Sequence, residues 1–529
     1  MMKKILSILF ILIIGVFNVS IVSANLKNVN EENYNNTGFI YNENYTLQWV
    51  MNFGSDWDYG ARYEGPQPIG DCDNDGKNEM LVGGRDGKIR VFEWDQEKQT
   101  YLEMHTIFCP LYPFASLDPG GFAIGDLDGD GKNEIGATFG ISVHKWIFGR
   151  YKTIGFNNLI FLKGGGSADC YIGDYDNDGK NELIVSGGPI RETGLDIPEI
   201  VIFKLTKLGL FREASWNSPE KGYVYMAGLG DVDDDGENEI VCGTGSKFYV
   251  LDWNKQEKKF DETILENTTG DYYPFACVCK DSTGDGKLEI HISYARPKIS
   301  IYKWNGNSYE RIFVKEWYGE SGVIEGLDVG NVDDDSMPEV CVGTNVVHIL
   351  SWNGETYVEK DVLPTFGNLA VVAVGDCDND GKNEIQAGSV MTHFQDFMSW
   401  VFKYNYTSSV NTQIPTAGNG RINVNIKRAK LGLPISNASV AAWNLETGVW
   451  YDIQPKPDVW SIYSRSDLPE GQYLLRAHME GFKNQEATIS IYTGQETSYT
   501  FYLSSNLLNR QLIKNPLNII TRFLNINFF

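Results

Sequence analysis

The sequence predicts an all-β chain built as a seven-bladed β-propeller closed by an N-terminal strand, followed by a small β-sandwich. Three observations predict it. An acidic loop recurs seven times, each copy is followed by short alternating strands, and the last copy stops one strand short. The first positions of the loops are Asp71, Asp126, Asp174, Asp231, Asp281, Asn331 and Asp376, spaced 45 to 57 residues apart. A period near 50 suits one four-stranded blade per repeat.

Each repeat opens on a loop such as GDCDNDGKNEMLVGG from Gly70. A short apolar run follows (Met80–Val82), then an alternating strand ending on an aromatic (Lys88–Trp94). A turn comes next, Asn-Gly at Asn305-Gly306 and Asn353-Gly354, and then a strand opening on Tyr101, Phe260, Tyr309 or Tyr357. Period-two alternation punctuated by such turns is a hairpin signal. The seventh repeat reaches its aromatic strand at Trp400–Tyr404 and lacks an outer strand. YNENYTLQWV from Tyr41 resembles WNGETYVEKD from Trp352 and is expected to supply it. Closing a ring in this way removes exposed strand edges.

The loops have the chemistry of a hard-cation site. Alternating carboxylates at positions 1, 3 and 5 can converge in a tight turn, Gly at 6 allows positive φ, and Glu at 9 closes the shell. An EF-hand places its closing Glu at position 12 between helices, so these loops are not EF-hands. Five copies carry the full set: Asp71, Asp73, Asp75, Glu79; Asp126, Asp128, Asp130, Glu134; Asp174, Asp176, Asp178, Glu182; Asp231, Asp233, Asp235, Glu239; and Asp376, Asp378, Asp380, Glu384. Two are degraded. The fifth has Asp281, Thr283, Asp285, Glu289, and the sixth has Asn331, Asp333, Asp335, Glu339 with Ser336 in place of Gly. The expectation is seven Ca²⁺ sites, five strong and two weaker, Ser336 being strained at a positive φ. Evenly repeated loops favour calcium as a staple of the fold over calcium as a ligand contact.

These loops and their period resemble the FG-GAP repeats of the integrin alpha-chain propeller and its prokaryotic VCBS-type relatives, over about residues 41–407. The resemblance implies a seven-bladed propeller, calcium in blade-edge loops, and a role in adhesion or ligand binding. The chain departs from the integrin pattern, with Glu where integrins have Asp at position 9 and no sign of the leg domains. An integrin's function is therefore not carried over.

Residues 1–24 read as a secretory signal: Lys3 and Lys4, an apolar run from Ile5 to Val22, and Val22-Ser23-Ala24 before a cut at Asn25. The alternative is an uncleaved anchor. The eight cysteines sit at repeat-matched or strand positions and are expected to be small buried hydrophobes rather than a disulfide framework. A net charge of −25 argues against nucleic acid and anionic membranes as partners.

Residues 408–418 read as a linker. Residues 419–503 change texture, with strand-like runs at Arg421–Ile426, Ser439–Trp443, Gln472–Ala477 and Thr497–Leu503. GLPISNASVAAW and DLPEGQYLLRAHMEGF, through Pro434, Ala438, Pro469, Gly471, Tyr473 and Gly481, resemble a carboxypeptidase-regulatory-like or PEGA-type β-sandwich. That resemblance implies a spacer or a carbohydrate- or wall-facing module. The tail, 504–529, carries Arg510, Lys514 and Arg522 without an acid. It is expected either to lie on a membrane surface or to dock on the preceding domain.

Six histidines form no His-Glu-x-x-His pair, and there is no Gly-x-Ser-x-Gly elbow or phosphate loop. No catalytic residue can be named. The expectation is a secreted or cell-surface, non-enzymatic module for an extracellular protein or polysaccharide ligand. The alternatives are a calcium-dependent, lyase-like enzyme acting on polysaccharide and a purely structural envelope protein. The Tyr-Pro-Phe-Ala stretches at Tyr112–Ala115 and Tyr273–Ala276 read either as aromatic platforms or, preferentially, as blade packing.

Overall fold

A computed structural model describes residues 39–504, apart from 41–43, 55–67, 111–119, 159–164, 190–196, 392–396, 406–419, 445–449 and a few shorter turns. The signal segment, Tyr112–Ala115, the linker and the C-terminal tail lie outside the described residues. The described residues are strands and turns, with no helix among them.

Each acidic repeat becomes one antiparallel sheet whose strands pair in chain order. The first consists of Ile69–Gly70, Glu79–Gly84, Lys88–Asp95 and Thr100–Phe108. Every acidic loop connects the first and second strands of its sheet. The residue before the loop pairs with the closing glutamate, as in Gly70↔Glu79, Gly173↔Glu182 and Gly375↔Glu384. The seventh sheet is the exception in chain order. After Asn368–Gly375, Glu384–Met391 and Phe397–Tyr404, the next strand is Tyr45–Gly54, paired antiparallel with Phe397–Tyr404 from Tyr45↔Tyr404 to Gly54↔Phe397. Phe39–Ile40 adds a short fifth strand beside it.

Successive sheets share apolar cores. Ile89, Val91 and Ile107 of the first sheet pack with Phe122 and Ile135 of the second. Equivalent clusters join the second to the third, and so on to the sixth and seventh. One further cluster joins the seventh sheet to the first: Trp49, Cys377 and Val401 with Met80, Val82, Phe92 and Tyr101. The glycine before the loop explains how the sheets approach so closely. A Cβ at Gly173 would stand 2.4 Å from Leu229 Cδ2 of the fourth sheet, and one at Gly375 would stand 2.9 Å from Ile69 Cγ2 of the first.

All eight cysteines are free and buried, in line with the repeat-matched positions of Cys72 and Cys377 and of Cys242 and Cys341. Residues 420–503 form two four-stranded sheets around a common core of Ile422, Val424, Val440, Tyr463, Tyr473, Leu475 and Phe501. In one sheet Gly420–Arg428 runs parallel to Glu496–Leu503. The buried hydroxyls are satisfied: Ala438 N–H donates to Tyr463 Oη at 2.8 Å, and Tyr473 O–H donates to Pro469 O at 2.8 Å. Trp443 and Leu474 of this region join the cluster of the sixth and seventh sheets.

Buried histidine makes the fold acid-sensitive. His144 lies between Ser142 Oγ (2.9 Å) and Thr153 Oγ1 (3.2 Å), and burial pushes its ring down to about 3. An ordinary unfolded histidine titrates near 6.5. As pH falls below that value the unfolded chain takes up a proton that the folded ring refuses, so stability is lost from about 6.5 downward and levels off near the folded value. His144→Gln should shrink the stability difference between pH 7 and pH 5 by about 2 kcal/mol, read from urea unfolding at both pH values. An unchanged difference would mean that the ring is already charged in the native state.

Candidate metal centre

The seven loops are folded by their own carboxylates. In loop 1, Asp71 Oδ2 accepts from Gly76 N (2.9 Å), and Asp71 Oδ1 and Asp73 Oδ1 both accept from Asp75 N (3.0 and 3.1 Å). Asp75 Oδ1 accepts from Lys77 N (2.9 Å), and Glu79 Oε2 accepts from Cys72 N (2.9 Å). The bond from the position-6 amide to the first aspartate recurs at Gly131, Gly179, Gly236, Gly286 and Gly381, all with φ between 80° and 90°. A left-handed residue at position 6 is what lets an aspartate five residues back reach its amide, so glycine is required there.

The geometry brings carboxylate oxygens within 4.8 Å of one another in Asp71–Asp73–Asp75–Glu79, Asp126–Asp128–Glu134, Asp174–Asp176–Glu182, Asp231–Asp233–Glu239 and Asp281–Asp285–Glu289. Asp130, Asp178 and Asp235 stay outside these groups. Their Oδ1 atoms hold the amides of Lys132, Lys180 and Glu237. The carboxylates that read as metal ligands in the sequence therefore also serve to fold the turn.

The closing glutamate is buried in every loop, at 3% exposure or less. Burial, opposed by the amides of Cys72 and Asp73, pushes Glu79 up to about 7; burial reinforced by the Asp176 charge pushes Glu182 up to about 8. Burial likewise carries Glu239 to about 8. Glu182 Oε2 and Asp233 Oδ1 are buried with no hydrogen-bond partner, as are Glu134 Oε1, Glu339 Oε1 and Glu384 Oε1, each of which a lysine ammonium approaches. A buried carboxylate oxygen with nothing to accept from is costly unless a cation completes it. Carboxylate oxygens alone, several to a site and converging from a flexible loop, are the donor set of a hard cation such as calcium.

The degraded sixth loop corrects the sequence reading. Ser336 has no positive φ, so the strain expected of it does not arise. Asn331 rewires the turn instead: its Nδ2 donates to Asp335 O at 2.5 Å, and its Oδ1 accepts from Asp333 N at 3.3 Å. With no position-1 carboxylate to recruit the position-6 amide, the left-handed turn is not imposed.

Two features went unread in the sequence although both recur in it. The first is asparagine at position 8. Asn133, Asn181 and Asn238 each donate through Nδ2 to the position-1 carbonyl of the preceding loop, all at 2.8 Å. Asn383 does so to Asn331 O at 2.9 Å, and Asn78 to Asp376 O of the seventh loop at 2.7 Å. The second is lysine. Lys145 Nζ stands 2.7, 2.8 and 2.6 Å from Asp128, Asp130 and Glu134. Lys303 takes the same place against Asp285 and Glu289, Lys360 against Asp333 and Asp335, and Lys403 against Asp378, Asp380 and Glu384.

Residues 71–137 match a family described as FG-GAP-like repeat. This match and the repeated four-stranded sheets support an FG-GAP-type β-propeller with acidic clusters compatible with metal binding. Similar solved structures include BBS1N in complex with ARL6DN, soaked with mercury, at 10% identity and TM-score 0.47, covering 69% of this chain and 98% of that one. The Dos1 propeller is similar at 9% identity and TM-score 0.39, covering 61% and 74%. No curated protein matches.

Proposed function

We propose that the chain is an exported, calcium-stabilised propeller of seven blades, its ring closed by Tyr45–Gly54, that works as a non-enzymatic extracellular binding module. The observation that carries the ring is its cyclic bonding: Asn78 of the first loop holds the seventh, and Trp49 and Val401 of the seventh sheet pack into the first. Calcium rests on the buried unpaired oxygens of Glu182 and Asp233 inside their carboxylate clusters. Export rests on the apolar N-terminal run and its small-residue boundary. In this reading residues 419–503 are a PEGA-like spacer that carries the propeller.

The repeated acids are committed to turns and cation. The ligand is an extracellular protein or polysaccharide. The test is retention of the mature protein on an array of polysaccharides and surface proteins, in calcium and again in chelator. Retention lost in chelator supports the binding module. A folded, calcium-loaded protein retained on nothing favours a structural envelope component, and cleavage of a retained polysaccharide would replace the module with an enzyme.

A further inference from the structure

Strand register places one residue of each third strand directly across from the closing glutamate, and its charge differs from loop to loop. Glu134 pairs with Lys145. Extending the neighbouring pairs by one residue sets Lys303 across from Glu289 and Lys403 across from Glu384. In the sixth sheet Glu339 faces Ser351, and Lys360 arrives from the fourth strand, where a bulge turns it inward. The first and fourth sheets carry acids in the same place: Glu93 across from Glu79, and Asp252 across from Glu239. The third has Lys204, but its ammonium lies 3.4 Å from Glu213, and Glu182 Oε2 is left without a partner.

We infer that loops 2, 5, 6 and 7 carry a tethered lysine ammonium in place of a metal ion, so that calcium binding is confined to loops 1, 3 and 4. This rests on the reading of the loops as calcium sites and sorts among them. A cation entering loop 2 meets an ammonium already hydrogen-bonded to Asp128 and Asp130 and ion-paired with Glu134 at 2.6 Å. It must displace that charge from oxygens that the calcium itself would need. The ammonium is tethered on a strand and always present, whereas calcium must be drawn from solution, so these loops should bind it at least about tenfold more weakly. In loop 4 the lysines in contact, Lys287 on Asp234 and Lys255 on Glu237, stand on residues outside the Asp231–Asp233–Glu239 cluster, and Asp233 Oδ1 is buried without a partner.

The sorting departs from what the motif alone predicts. Loops 2 and 7 keep every motif carboxylate and are nonetheless excluded, whereas the substitutions at Thr283 and Asn331 accompany a lysine that has made the site redundant.

The experiment counts calcium bound per full chain by equilibrium dialysis and native mass spectrometry, at micromolar to low-millimolar free calcium. Three ions are expected. Lys145→Gln and Lys403→Gln should each add one, and Asp252→Lys, which touches no proposed ligand oxygen, should remove one. Should either lysine variant fail to fold, the wild-type count and Asp252→Lys still decide the matter. Five or more ions on the wild type, or a count unmoved by Asp252→Lys, would overturn the sorting and leave the calcium reading standing. No bound ion at all would sink the calcium reading itself.

Discussion

Trp49→Ala should destabilise the chain by about 3–5 kcal/mol in urea unfolding, the range for deleting a large aromatic from a packed core. Trp49 is 3% exposed although it lies near the N-terminal end of the described chain. Its ring meets Phe92 at 5.2 Å and Tyr101 at 5.6 Å, both edge-on, and both belong to the first sheet, while its own strand pairs with Phe397–Tyr404 of the seventh. The truncation thus opens a cavity in the core shared by the seventh and first sheets. Val362→Ala, on an exposed face of the sixth sheet, should cost within about 0.5 kcal/mol and controls for strand propensity. A cost for Trp49→Ala below about 1 kcal/mol would mean that the N-terminal strand is an accessory and that the seventh sheet is stable without it.

The pairing of Tyr45–Gly54 with Phe397–Tyr404 was legible in the sequence because the missing outer strand and the unpaired N-terminal strand were complementary gaps in one repeat. Individual strands were legible from their own residue pattern: Lys88–Trp94 appears as Lys88–Asp95, and Thr497–Leu503 as Glu496–Leu503. What stayed hidden depends on register between strands, which no single repeat reveals. Lys145, Lys303 and Lys403 each precede an aromatic residue, as do Glu93, Asp252 and Ser351, so the signal stood in the sequence. Its meaning required knowing that this position faces the closing glutamate. Asn78 and its equivalents went unread because their partners lie in a different repeat. The strain expected of Ser336 failed for the opposite reason. The reading assumed that one backbone template holds in every loop, whereas Asn331 removes the carboxylate that imposes it.

Glu182→Gln should invert the chain's response to calcium: more stable than wild type in chelator, less responsive than wild type when calcium is added. The wild-type carboxyl is 1% exposed, with Oε2 unpaired, and is pushed up to about 8 first by burial and then by the Asp176 charge. An unfolded glutamate titrates near 4.3. The metal-free fold must therefore hold on to a proton that the unfolded chain releases, and stability falls as pH rises from about 4.3 through about 8. Glutamine has the shape of the protonated acid and carries no such penalty, and its amide N–H groups can donate to the Asp174 and Asp176 carboxylates beside it. In chelator the variant should gain about 3–4 kcal/mol at pH 7, with the gain vanishing near pH 4. In calcium the order changes, because the ion stabilises whatever binds it, by an amount set by affinity, and the variant has lost a charged ligand. Thermal melts of both proteins in chelator and in calcium, at pH 5 and pH 8, read all four conditions. A variant less stable than wild type in chelator at pH 8 would show that Glu182 is satisfied without metal. A variant with an undiminished calcium shift would remove the third loop from the set of sites.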